Sequence, residues 1–333
     1  MKAAVITEYN GPWQIQTLPD VKPQAGQVVI RVRASGMCGT DVHVHNGRFP
    51  LKPPIVAGHE PTGEIVELGP GVVDLKVGDR VGVFWQQKGC GRCAACQAGH
   101  VSRCPNGQSW MDLGGGNSEL MLAWASGCAL IPDAVSFELA APIFCAGYTV
   151  MSGLRNASPL PGERVAVLGV GGLGHLAVQF AKAVGLETLA ITGQANKTKE
   201  LVELGADEVV LSGDDPGAAL SAAGGADIIL STTNSARQVA SAFNGLRPGG
   251  RLVNMGLPDG PIPIDPMTLT IGQRQLRGSS QDERADLAEA LAHVASGKVK
   301  PMLELYPLER VNEARERLTS GKIRYRAVLQ HAE

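Results

Sequence analysis

Four cysteines fall within fifteen residues, at Cys90, Cys93, Cys96 and Cys104, in the spacing Cys-x2-Cys-x2-Cys-x7-Cys. Thiolates so close in sequence can close one tetrahedral cage around a zinc ion, and a cage with no vacant corner holds a fold together. Three further residues able to bind metal, Cys38, His59 and Cys145, lie outside that run. A zinc held by three side chains keeps a corner open and does chemistry. Two zinc sites of different kind are therefore expected.

A glycine loop, Gly169-Val170-Gly171-Gly172-Leu173-Gly174, contains the pattern G-x-G-x-x-G. Alone it reads equally well as a turn without a ligand. Here it follows the branched run Arg164–Leu168 and opens a helix to about Val184, the strand–loop–helix context of a dinucleotide phosphate site. Its glycines permit a tight turn, backbone approach to a pyrophosphate and close helix–strand packing. The position about 20 residues on that selects the cofactor holds Thr192, followed by Gly193-Gln194-Ala195-Asn196-Lys197. Thr192 removes the repulsion an acidic residue would exert on a 2′-phosphate, and Lys197 offers positive charge, so NADP is slightly favoured over NAD. No arginine adjoins Thr192, and Lys197 with Lys199 fits a solvated helix start nearly as well.

Two kinds of element position these groups. Up to about residue 150 the chain alternates short branched runs (28–33, 63–68 and 80–84) with turn signals such as Pro70-Gly71, the pattern of an antiparallel, partly open β-barrel. Beyond it, strand-like runs at 164–168, 189–192, 208–211, 227–230 and 251–254 alternate with helices, predicting a doubly wound parallel sheet. A tail of helix, short strand, helix and final strand at 324–329 is too small for a domain and is expected to return to the first. The expected α/β organisation is 1–147 with 286–333 as a discontinuous catalytic domain, and 148–285 as the nucleotide-binding domain.

The bulk properties exclude several classes. Hydrophobic residues make up 44% and charged residues 19%, enough for a large core and against disorder. The net charge of −2, without long runs of either sign, gives no footprint for nucleic acid. No uncharged apolar run approaches the roughly 18 residues of a membrane helix, and the first residues turn polar too soon for a signal peptide. Seven cysteines, an odd number and mostly clustered, suit metal binding in a reducing cytoplasm better than a disulfide framework.

Taken together, Cys38-Gly39-Thr40-Asp41-Val42-His43, Gly58-His59-Glu60, the cysteine cage, Cys145-Ala146-Gly147-Tyr148-Thr149 and the glycine loop run in an order that resembles the zinc-containing alcohol dehydrogenases of the medium-chain dehydrogenase/reductase family. That family is a standard instance of a Cys2His catalytic zinc, so the ligand set is matched here and not deduced. The resemblance implies a GroES-like catalytic domain and a Rossmann domain, with Cys38, His59 and Cys145 on the catalytic zinc. Each of the three, taken singly, reads as well as a buried thiol or a hydrogen-bonded loop histidine. It implies Asp41 as the carboxylate orienting His59, and Glu60 as the acidic residue behind the metal, an occasional ligand or a structural carboxylate. Thr40 and His43 match a relay that carries the alcohol proton through the cofactor ribose to water. Thr149 matches a position beside the nicotinamide, and Arg326 a contact to the pyrophosphate. Gly39 departs from the family, standing where several relatives place histidine or arginine on that pyrophosphate. Phe49, Trp85 and Trp110 match or suggest walls of the substrate pocket, and large aromatics also serve as core. His45 matches no role and is expected to be exposed, and Cys128 to be a buried, inert thiol.

The implied activity is reversible hydride transfer between an alcohol, primary with an apolar or aromatic body, and NAD(P), in a homodimer or homotetramer. Two alternatives stand beside it: a polyol or formaldehyde-type zinc dehydrogenase, and a non-catalytic nucleotide-binding protein of the same fold.

Overall fold

The structure, a computed structural model, describes residues 1–331. It divides into two compact units, residues 1–145 with 301–331 and residues 146–300.

The first unit is built on strand Gln27–Met37, whose inward positions are filled by Val28, Ile30, Val32 and Met37, all fully buried. This strand pairs antiparallel with Glu60–Leu68 along one edge. Its other edge is shared: the first half takes Leu120–Trp124, the second half takes Arg326–Gln330. Strand Arg326–Gln330 in turn pairs parallel with Leu303–Pro307, and Arg80–Val83 and Cys128–Leu130 extend the far side into a seven-stranded sheet. Register shifts at Val29/Ile30 and Val32/Ala34 bend the central strand, as bulges do in partly closed barrels. Ala4, Ile6, Val28, Ile30, Ile65, Trp110, Met121 and Leu329 lie in its core. The C-terminal tail thus contributes a central strand, as expected of a segment too small to stand as a domain.

The second unit carries a six-stranded, all-parallel sheet. In spatial order its strands are Glu208–Leu211, Glu187–Thr192, Arg164–Leu168, Ala226–Ser231, Leu246–Asn254 and Gln275–Gly278. The order reverses between Arg164–Leu168 and Ala226–Ser231, the switch point at which such sheets bind ligands beyond their strands' carboxyl ends. Central strands buried on both faces need unbroken apolar runs. Val165, Ala166, Val167, Ile228, Ile229, Leu230, Leu252 and Val253 are accordingly all at 0% exposure. At the opposite end, the Arg164 guanidinium ties three strands together through Glu187, Glu208 and the Ala223 carbonyl.

The return to the first unit comes later than the sequence suggested. Helix Arg284–Ala295, expected from 286 onward to belong to the catalytic domain, packs along Ala146–Ala157, and Ser152 Oγ donates to Asp286 Oδ2 at 2.7 Å. The boundary therefore falls at Lys300/Pro301 and not at 285/286.

Truncating Leu252 to alanine should open a cavity between sheet and helices and destabilise the second unit by about 2–5 kcal/mol, measured as a fall in its urea unfolding midpoint.

Candidate active site and structural metal site

The reactive cluster is assembled by three local features of the first unit. Cys38 caps helix Gly39–His45: its sulfur accepts from the Thr40 backbone N–H, while the Cys38 N–H donates to Asp41 Oδ2 at 2.9 Å. His59 follows Gly58, whose φ of +101° is open to glycine at little cost. Cys145 ends the short 3-10 turn Ala141–Phe144.

These features bring Cys38 Sγ and Cys145 Sγ each to 3.3 Å from His59 Nε2. The ligand atoms of Cys38, His59, Glu60 and Cys145 all lie within 4.8 Å of one another. A tetrahedral zinc with Zn–S near 2.3 Å and Zn–N near 2.0 Å spaces sulfur and nitrogen about 3.5 Å apart, so the three ligands fit that ion. His59 Nδ1 lies 3.4 Å from Asp41 Oδ1, leaving Nε2 for the metal. Thus the sequence-predicted ligands and their orienting carboxylate converge.

The electrostatics fit a cation as well. A hydrogen bond from the Cys145 thiol, together with the nearby His59, holds Cys38 well below the usual thiol range despite burial. Cys145 is pushed well up by that same shared bond and by burial. Burial works against a charge on His59, but the Cys38 thiolate and Asp41 raise it well above the ordinary imidazole value.

Glu60 is fully buried, and burial lifts its carboxyl to about 7 although Arg326 pulls the other way. Its Oε1 accepts from Arg326 Nη2 and lies 3.8 Å from His59 Nε2. Arg326 is only 2% exposed. The residue matched from sequence to a pyrophosphate thus has its guanidinium committed to Glu60 behind the ligand cluster, and a phosphate would have to compete with that pairing.

Thr40 and His43 lie on one face of helix Gly39–His45, both half-buried. The expectation of an exposed His45 is overturned: it is 4% exposed, its Nδ1 2.9 Å from Trp13 Nε1 and its Nε2 2.6 Å from Arg315 Nη1. A histidine at the end of a short amphipathic helix can turn inward as readily as outward, and neighbouring residues do not say which. Here it pins the helix that carries Thr40, Asp41 and His43.

Aromatic rings close in on His59. Trp85 meets the His59 ring edge-on at 5.1 Å, Trp110 lies nearly parallel to it at 6.2 Å, and Phe49 packs on Trp85 at 5.8 Å. All three predicted wall residues therefore belong to one cluster at the site, with Trp110 fully buried.

Cys90, Cys93, Cys96 and Cys104 form the second group, their sulfurs within 4.8 Å of one another. Backbone N–H groups point at them: Cys90 N–H donates to Cys104 Sγ at 3.3 Å and Cys96 N–H to Cys93 Sγ at 3.5 Å. The N–H groups of Arg92 and Cys93 bring Cys90 down to about 6. Donors aimed at sulfur stabilise the thiolates a closed zinc site requires. Cys128 is apart from both groups and buried, and all seven cysteines are free thiols.

In the second unit the loop Gly169–Leu173 leaves strand Arg164–Leu168 at the switch point and leads into helix Gly174–Ala183. Gly169 has φ +88°, and a Cβ on Gly174 would collide with the Gly169 carbonyl, so these two glycines set the turn. A Cβ on Gly171 would meet nothing within 4 Å, leaving the room a pyrophosphate needs. Thr232, not singled out from sequence, braces the loop by donating to the Gly169 carbonyl at 2.6 Å. Thr192 ends its strand buried, its hydroxyl accepting from the Gln194 N–H, and Lys197 Nζ reaches back to 3.5 Å from the Val170 carbonyl. Thr149 lies in the first turn of helix Ala146–Ala157.

Residues 24–133 match the family described as alcohol dehydrogenase GroES-like domain, and residues 172–296 that described as zinc-binding dehydrogenase. The chain is 41% identical to an alcohol dehydrogenase of Geobacillus stearothermophilus over 99% of both chains. It is 34% identical to an aldehyde reductase of Synechocystis sp., covering 100% of this chain and 99% of the other. Among solved structures, a cinnamyl alcohol dehydrogenase of Sorghum bicolor superposes with a TM-score of 0.91 at 30% identity, over 99% of this chain and 97% of that one.

Replacing Asp41 by asparagine should loosen the His59 orientation and weaken metal retention at Cys38, His59 and Cys145 by about 10- to 100-fold. Competition with a colorimetric chelator checks this; the four-cysteine site should hold its metal unchanged.

Proposed function

Because this chain belongs to the zinc-containing alcohol dehydrogenases of the medium-chain dehydrogenase/reductase family, we propose that it interconverts alcohols and aldehydes with NAD(P) through a catalytic zinc on Cys38, His59 and Cys145. The observation that carries this reading is the convergence of two sulfurs and one imidazole nitrogen, oriented by a buried carboxylate. When bound, zinc would acidify an alcohol hydroxyl or polarise a carbonyl, and the nicotinamide would exchange the hydride.

The chain's own residues do the rest. Asp41 keeps the His59 ring in one tautomer and orientation. The Thr40 hydroxyl takes the substrate proton, and His43, one turn along the same helix, passes it to water. Glu60 and Arg326 set the charge behind the ligands. Gly169, Gly171, Gly172, Leu173 and Gly174 would cradle the pyrophosphate, and Thr149 would contact the nicotinamide. Phe49, Trp85 and Trp110 line the substrate side with aromatic surface. That lining favours primary alcohols with an apolar or aromatic body, in keeping with a cinnamyl alcohol dehydrogenase among the structural neighbours. Cys90, Cys93, Cys96 and Cys104 hold a structural zinc, whose binding energy is folding energy for their lobe.

Thr192 and Lys197 tilt cofactor choice slightly towards NADP. A homodimer or homotetramer is supported by edge strand Gln275–Gly278, which exposes Leu276, and by helix Pro266–Ile271, which exposes Met267 and Ile271. Among the described residues no single helix is long and apolar enough to cross a membrane, and the free thiols suit a reducing cytoplasm.

The deciding experiment measures NAD- and NADP-linked turnover across primary, secondary, aromatic and polyol substrates, with zinc quantified in the same preparation. Two zinc ions per chain and turnover of aromatic or apolar primary alcohols are expected; active protein free of transition metal would overturn the proposal. Cys38→Ser should reduce turnover below about 1% of the parent while cofactor binding, followed by nicotinamide fluorescence, persists. Thr192→Asp should move the kcat/KM ratio towards NAD by about tenfold or more; an unchanged ratio would place the selector elsewhere.

A further inference from the structure

Gly36 lies opposite Glu60 in the antiparallel pair formed by Gln27–Met37 and Glu60–Leu68. Its φ is not in the left-handed region, so the backbone conformation admits any residue. What the glycine supplies is space. A Cβ on Gly36 would overlap Glu60 Oε2 and stand 2.8 Å from its Cδ and 3.0 Å from its Cβ, the three nearest atoms all being in that one side chain. The Glu60 carboxylate therefore rests in the slot left by the missing Cβ.

That slot is closed on its other sides. Glu60 is 0% exposed, Arg326 Nη2 holds Oε1, and the His59 Nε2 ligand atom is 3.8 Å from the same oxygen. Oε2 has no hydrogen-bond partner among the described residues, so no polar contact draws it away from residue 36. A side chain at 36 would drive the carboxylate off Arg326 or into the sulfur–imidazole cluster, and either move leaves a buried charge badly placed.

We propose that Gly36 is a positioning residue of the metal centre, acting through the Glu60 carboxylate that its missing side chain accommodates. This rests on the reading of Cys38, His59 and Cys145 as zinc ligands. The test is a double-mutant cycle of Gly36→Ala with Glu60→Ala, read by the rate of zinc release to a colorimetric chelator and by kcat/KM. The release phase belonging to this site is the one missing in Cys38→Ser. In the parent background Gly36→Ala should speed that phase, and lower kcat/KM, by about tenfold. With Glu60 already truncated, the same substitution should change either quantity by less than about twofold. Equal effects in both backgrounds would overturn the proposal, since the glycine would then serve the strand and not the carboxylate. So would no effect in the parent.

Glu60→Ala strands the Arg326 guanidinium, so the cycle is repeated with Arg326→Met present, under the same criteria. If Gly36→Ala alone does not fold, recovery of zinc-loaded protein on adding Glu60→Ala supports the proposal, and continued failure overturns it. Loss of the underlying zinc reading is distinguishable: Cys38→Ser would then contain as much zinc as the parent.

Discussion

Two sulfurs and an imidazole nitrogen packed 3.3 Å apart around His59 form an arrangement that costs free energy unless something shares their charge. The first unit holds them together before any metal arrives. Cys38 is fixed as a helix cap, His59 by the Asp41 carboxylate, and Cys145 by the end of a buried turn. The ligands are therefore preorganised, and the ordering cost is met by strand pairing and capping hydrogen bonds rather than at the moment of binding. Every functional property inferred for the chain passes through this constraint: the acidity of a bound alcohol, the placement of Thr40 and His43, and the aromatic surface stacked around the same imidazole.

The two candidate metal groups solve different problems. The four-cysteine lobe lies among short turns and little regular structure, with Ala94–Gln97 its only α-helix and sulfurs receiving backbone N–H donors. Such a segment cannot bury enough apolar surface to hold its own shape, and a metal cross-link would supply what packing does not. The Cys38–His59–Cys145 group stands on a long central strand and its neighbours, where packing is already sufficient. A metal bound there would be free to serve reactivity instead of architecture.

Motif spacing made much of this legible. Local signatures with a fixed physical meaning survived intact: the cysteine spacing, the glycine loop between strand and helix, and the apolar parallel strands of the second unit. Residues whose role depends on a distant partner did not show themselves. His45 needed Trp13 and Arg315, from segments far apart in sequence, before its burial had a reason. Arg326 meets Glu60 across 266 positions, a pairing visible only once strand Arg326–Gln330 lies beside Gln27–Met37. Helix Arg284–Ala295 lies with the parallel sheet, because a tail too small for a domain can be shared between two neighbours, and its size does not say where it divides. Gly36 was silent for the opposite reason: its contribution is an atom it lacks.

The central sheet of the first unit is completed by a strand drawn from the far end of the chain, inserted between Gln27–Met37 and Leu303–Pro307. During synthesis the ligands at 38, 59 and 145 emerge long before that strand, and the whole parallel-sheet unit is made in the interval. A ribosome-bound chain can thus present the thiols and imidazole without their ionic backing, whereas the four-cysteine lobe is complete as soon as residue 104 is out. The order of manufacture thus separates the two candidate metal groups: the four-cysteine lobe has all its sulfurs early, and the Cys38–His59–Cys145 group gains its Glu60–Arg326 backing only after the parallel-sheet unit has been made.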